Sequence, residues 1–176
     1  MTTETLTPNP ALMASVSRIR RGLDYHWEQI RSRLFNPHNT PRKFLNFLYV
    51  YLESRFSPFS RSFGMPYTAS IDPASPCNLK CPLCPTGLGV PTLSKGIMKY
   101  ETFEHVFTQA APYLYNMRLY KWGEPLYNKD IFKMIRLAKK LRVHVELSTN
   151  LNIFRDGMAA EMVELPLSTA QRRVFA

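Results

Sequence analysis

From about residue 65 onward, apolar residues follow two patterns: short runs in which they alternate with polar residues, and stripes that return every three to four positions. The short runs predict strands at 67–72, 116–120 and 143–147. The stripes predict helices between them. Residues 100–113 place Phe103, Val106, Phe107 and Ala110 on one face, and residues 128–141 do the same with Ile131, Met134, Ile135 and Ala138. Lys139 and Lys140 suit the negative end of the second helix dipole. A further helix is expected over 156–163. Such a rhythm demands parallel strands joined by crossover helices, hence an α/β fold.

Upstream the pattern differs. Residues 1–10 are polar and expected to be disordered, and 11–34 read as a basic helix. Asn36, Pro37, Asn39 and Pro41 break it. Residues 42–55 then carry Phe44, Leu45, Leu48, Tyr49 and Leu52 at helical spacing. Arg42, Lys43 and Arg55 beside aromatic residues would suit an interfacial membrane anchor. Packing of that stripe on the following domain is the preferred reading, because apolar stripes are most often core faces. Residues 57–60 read as a linker. Three regions result: a helical region over 1–62, an α/β core over 63–164 and a tail over 165–176.

The 176 residues carry a formal charge of +10, with positive side chains scattered or in short runs such as Arg18, Arg20 and Arg21. A solvated basic surface explains them, and no specific nucleic acid is expected as partner. The longest apolar run is too short to span a bilayer. Three closely spaced cysteines, with no signal-like segment before them, argue against a disulfide framework. They point to the reducing cytoplasm and to metal ligation.

Those cysteines stand in Cys77-Asn78-Leu79-Lys80-Cys81-Pro82-Leu83-Cys84. Structural zinc would want four ligands, and the nearest candidate for a fourth, His105, lies on the polar side of a predicted helix. Three thiolates in eight residues suit three corners of an iron–sulfur cube, leaving the last iron open. Pro76, Pro82 and Pro85 stiffen the loop.

A C-x3-C-x2-C loop directly after the first strand of an alternating α/β chain resembles the radical S-adenosylmethionine (radical SAM) superfamily. The longer text from Ile71-Asp72-Pro73 to Pro85-Thr86-Gly87 is similar to the branch that often carries a C-terminal SPASM-type auxiliary-cluster domain. Trp122-Gly123-Glu124-Pro125, after the second strand, is similar to the family's Gly-Gly-Glu element, with Trp122 in place of the first glycine. Ser148-Thr149-Asn150 follows the third strand. Alone, these last two motifs are equally an ordinary turn and an ordinary strand end. Their order at successive strand ends gives them weight, because α/β ligand sites cluster there.

The resemblance implies a partial TIM-like (β/α) barrel. It implies a [4Fe-4S] cluster on Cys77, Cys81 and Cys84, with S-adenosylmethionine (SAM) bound at the open iron. Gly123 and Glu124 would receive the SAM amino group, and Ser148 and Asn150 its carboxylate or ribose. Leu83 would lie near the adenine, although the same position is equally a plain loop leucine. The implied reaction is reductive cleavage of SAM to a 5′-deoxyadenosyl radical, which takes hydrogen from a substrate, a peptide or a small molecule. The implied electron donor is a flavodoxin or ferredoxin, and no residue is assigned as a catalytic acid or base.

Only about three βα units can be counted, and nothing after Val163 resembles a further strand. The barrel is therefore expected to be incomplete, as in a truncated or frame-shifted product whose own activity is undecided. An incomplete barrel is expected to leave an open strand edge and an uncovered apolar face. The competing reading is a non-enzymatic iron–sulfur or zinc module that binds partners through its basic helices.

Overall fold

A computed structural model describes residues 24–56, 62–90 and 95–165, and the backbone of 169–172. The expected disordered start, the first half of the basic helix and the 57–60 linker lie outside the described residues. The chain forms two compact units, Met1–Pro37 and His38–Ala176. In the first, residues 24–34 are helical (α1), and the helix closes with Phe35 N–H donating to the Arg31 carbonyl at 3.0 Å.

The second unit begins with α2 (Pro41–Phe56) and continues through β1 (Thr68–Ser70), α3 (Tyr100–Ala110), β2 (Asn116–Arg118), α4 (Ile131–Lys140), β3 (His144–Thr149), α5 (Met158–Glu164) and β4 (Thr169–Arg172). The four strands form one parallel sheet in the order β1-β2-β3-β4. The strands thus lie side by side in chain order, with no reversal of that order among the described residues. The sheet is open.

β4 departs from the sequence expectation, which had no strand after Val163. Thr169–Arg172 lacks the apolar pattern that marks a strand, but it pairs with β3 from Glu146↔Thr169 to Thr149↔Arg172. The β3 backbone groups on that side would otherwise stay unpaired, a demand that side-chain patterns do not report.

Met117, Val145 and Leu147 point to one face of the sheet and are buried with Phe103, Phe107, Ile131, Met134 and Ile135 from α3 and α4. Each large side chain so buried contributes roughly 1.5–3 kcal/mol. One expected core position fails: Val106 is 56% exposed, because the turn of α3 that meets α4 is centred on Phe103 and Phe107.

The opposite face carries Thr68, Ser70, Asn116, Arg118, Glu146 and Ser148, with Arg118 Nε 3.2 Å from a Glu146 carboxylate oxygen. Among the described residues the face turned away from α3 and α4 is thus polar, where an uncovered apolar face was expected. Strict alternation along β2 and β3 sends the apolar set to the helix side alone.

The α2 expectation also needs correction. The helix packs on the sheet unit, but through Lys43 and Phe47. Phe47 meets the Tyr67 and Tyr115 rings edge-on at 5.3 and 6.4 Å. Leu45, Tyr49 and Leu52 of the predicted stripe are 64%, 49% and 45% exposed. No described helix is long and apolar enough to cross a membrane.

Candidate functional site

The three sequence motifs lie at the C-terminal ends of β1, β2 and β3. Parallel pairing brings those ends side by side. The cysteine loop leaves β1 and is pinned at its base. Ala74 bridges Ile97, and Ser75 N–H donates to the Gly96 carbonyl at 2.9 Å. The buried Asn128 side chain donates to the Pro73 and Met98 carbonyls, each at 2.9 Å, fastening both ends of the loop.

Within the loop, Cys84 N–H donates to the Cys81 carbonyl at 3.1 Å and Leu88 N–H to the Cys84 carbonyl at 2.9 Å. Gly87 packs on the Cys81 backbone so closely that a Cβ there would stand 2.6 Å from its nitrogen and oxygen. All three cysteines are free and half-buried. Leu83 is 94% exposed at the loop tip.

Glu124 joins the motifs. Its backbone N–H donates to the Pro76 carbonyl at 2.9 Å, next to Cys77. Its buried carboxylate accepts from the Thr149 hydroxyl, from Asn150 N–H at 2.8 Å and from Leu126 N–H at 3.2 Å. Both oxygens therefore have protein donors. Gly123 lies against the Ala74–Ser75 backbone, where a Cβ would come within 1.7 Å of the Ala74 carbonyl oxygen.

Asn150 reaches back to the cysteine loop. Its Nδ2 donates to Asn78 Oδ1 at 2.8 Å and lies 3.8 Å from Cys77 Sγ. Leu79 N–H is 3.5 Å from the same sulfur. Burial pushes the Cys77 thiol above its usual range, the Leu79 N–H pulls it back, and the Glu124 charge and the other two cysteines push it up. Cys84 Sγ faces the Trp122 carbonyl at 3.7 Å. Trp122 N–H in turn donates to Asp72 Oδ2 at 3.3 Å, and burial pushes the Asp72 carboxyl upward.

The structure thus brings Cys77, Cys84, Gly123, Glu124 and Asn150 into one network. Ser148 points to the other face of β3 from Thr149, onto the polar side of the sheet. His105 is paired with Gln109 on the surface of α3, at 3.1 Å. Thr149, Asn78 and Asp72 were not singled out as site residues in the sequence. Only their places beside the motifs could have marked them.

Three unpaired thiols on one short loop, within electrostatic reach of each other, suit soft thiolate ligation of iron. Among the described residues no three of His, Cys, Asp and Glu are gathered closely enough to hold a metal ion. The three sulfurs are therefore not drawn into a closed ligand sphere.

No protein-family model matches the chain, and no curated protein matches it. Solved structures share its fold. SuiB of Streptococcus suis bound to S-adenosylmethionine aligns with a TM-score of 0.52 at 16% identity, over 91% of this chain and 36% of SuiB. SuiB bound to precursor peptide SuiA gives 0.51 at 14% identity, over 91% and 37%. BtrN in an open conformation gives 0.50 at 18% identity, over 67% and 53%. The chain spans about half of BtrN and little more than a third of SuiB. At these identities the likeness is one of fold: an α/β chain with a parallel sheet.

Proposed function

We propose that this chain is a radical SAM protein, with Cys77, Cys81 and Cys84 as ligands of a [4Fe-4S] cluster and SAM as the bound cosubstrate. The observation that carries the reading is the hydrogen-bonded convergence of three motifs far apart in sequence. The cysteine loop, the Trp122-Gly123-Glu124-Pro125 turn and the Ser148-Thr149-Asn150 strand end meet through Glu124 and Asn150. The shared fold with a SAM-bound protein supports it.

When bound, the cluster supplies the electron for reductive cleavage of SAM. The chain's own residues hold and orient. Gly123 lets the β2 turn lie against the loop base, and Glu124 sets the β3 end relative to the loop. The Trp122 and Gly123 carbonyls at the strand end are suited to accept from an ammonium group. The sheet face that carries Ser70, Arg118 and Glu146 is polar, which favours a polar substrate, a peptide or small molecule, over an apolar one.

Anaerobic reconstitution with iron and sulfide tests the reading. The expected result is a brown protein with charge-transfer absorption that forms 5′-deoxyadenosine from SAM and a low-potential reductant. A colourless protein that takes up zinc and no iron overturns it.

A further inference from the structure

We propose that Asn150 is a positioning residue for the cluster itself, raising its reduction potential through the Cys77 sulfur; this rests on the cluster reading above. The orientation of the amide is fixed by its neighbours. Asn150 Oδ1 accepts from Asn152 N–H at 2.9 Å, so the other end of the group, Nδ2, is the one that faces Cys77 and Asn78. One of its hydrogens serves Asn78 Oδ1 at 2.8 Å, and the second is left for the sulfur at 3.8 Å. The Asn150 backbone N–H is held by Glu124 at 2.8 Å, so the residue is anchored at three points.

Cys77 Sγ therefore has two N–H donors, Leu79 N at 3.5 Å and Asn150 Nδ2. Cys84 Sγ has instead a carbonyl oxygen opposite it, that of Trp122 at 3.7 Å. The loop is asymmetric: donors gather on the Cys77 side. Hydrogen bonds to cluster sulfurs set the potential of iron–sulfur centres. A donor stabilises the more negative, reduced form, because the added electron raises the charge on the sulfur. One-electron reduction of the oxidised cluster by a chemical reductant should thus be easier with Asn150 present. A mere SAM contact would leave the potential measured without SAM unchanged.

The test is a redox titration of the full 176-residue chain, reconstituted anaerobically and poised with titanium(III) citrate in the absence of SAM. Asn150→Ala removes the donor. Asn150→Asp replaces it by a carboxylate and keeps the oxygen that accepts from Asn152. Both midpoints are expected to be more negative than wild type, the second by about 59 mV or more, a tenfold change in the one-electron equilibrium. Asn78→Ala frees the amide for the sulfur and is expected to show no negative shift.

A wild-type chain that takes up no iron overturns the cluster reading and this inference together. A loaded wild type, with loaded variants at the same midpoint, overturns the inference alone. A negative shift in Asn78→Ala equal to that of the Asn150 variants assigns the effect to loop geometry and also overturns it. If Asn150→Ala fails to fold, Asn150→Asp decides.

Discussion

The carboxylate of Glu124 and the backbone N–H of Asn150 meet at 2.8 Å, tying the turn after β2 to the end of β3. Glu124 also accepts from the Thr149 hydroxyl and Leu126 N–H while buried. Its removal leaves the buried Leu126 N–H and Thr149 hydroxyl, and the half-buried Asn150 N–H, without their acceptor. Glu124→Ala is expected to cost about 3 kcal/mol, since each buried donor left unpaired costs about 1–3 kcal/mol. Glu124→Gln keeps one acceptor oxygen and should cost about half as much by the same reasoning. Urea denaturation measures both. Equal stability of wild type and Glu124→Ala would show that the clip contributes nothing.

Gly123 makes a second, purely steric prediction. A Cβ there would stand 1.7 Å from the Ala74 oxygen and 2.8 Å from the Ser75 carbonyl carbon, both backbone atoms at the root of the cysteine loop. Neither can rotate away as a side chain could. Gly123→Ala must therefore push the β2 turn off the loop, at a cost of about 2–3 kcal/mol, as for other overpacked sites. Iron retained after reconstitution should fall with it. A variant that unfolds and binds iron like wild type would mean that the turn and the loop move apart freely.

Much of this architecture was legible in the pattern of apolar positions. The α3, α4 and β1–β3 segments follow from it, because each buries one face and periodicity records which. Cys77, Glu124 and Asn150 were legible as motif residues, but their mutual hydrogen bonds were not. What failed lacked a local signature. Val106 fits the α3 stripe, yet whether it is covered depends on where α4 crosses. Thr169–Arg172 becomes a strand because β3 offers it an edge. Thr149 looked like any strand end, and its hydroxyl matters only because Glu124 arrives from 25 residues away.

On α2, the difference between pattern and packing can be measured. Phe47 is buried among Tyr51, Tyr67 and Tyr115, whereas Leu45 and Leu52 face outward. Phe47→Ala should cost about 3–5 kcal/mol, as for other buried aromatic truncations. Leu45→Gln and Leu52→Gln should stay within about 0.5 kcal/mol, the usual range for surface changes. Thermal and urea unfolding of the three variants would check the ranking. The reverse ranking would mean that the predicted stripe is the packed face after all.

Lys43 ties α2 to the far end of α4, with Nζ donating to the Arg142 carbonyl at 2.6 Å while the side chain is buried. Burial, and then the Arg142 charge, lower its pKa from 10.5 to about 8. Between those values the unfolded chain holds a proton that the folded chain has released, so stability rises with pH across that window. Below about pH 8 both states are protonated, and the folded state carries the full cost of the buried charge. One pKa unit corresponds to about 1.4 kcal/mol, which bounds the effect at about 3 kcal/mol. Lys43→Met removes the charge and forfeits the carbonyl hydrogen bond, so the net gain at pH 7 should be about 1–2 kcal/mol. The variant's stability should then be flatter than wild type between pH 8 and 10.5. Comparing the two proteins at each pH cancels the tyrosines and exposed lysines that titrate in the same range. If the difference between wild type and Lys43→Met does not change from pH 7 to pH 10, Lys43 is not the group that releases the proton.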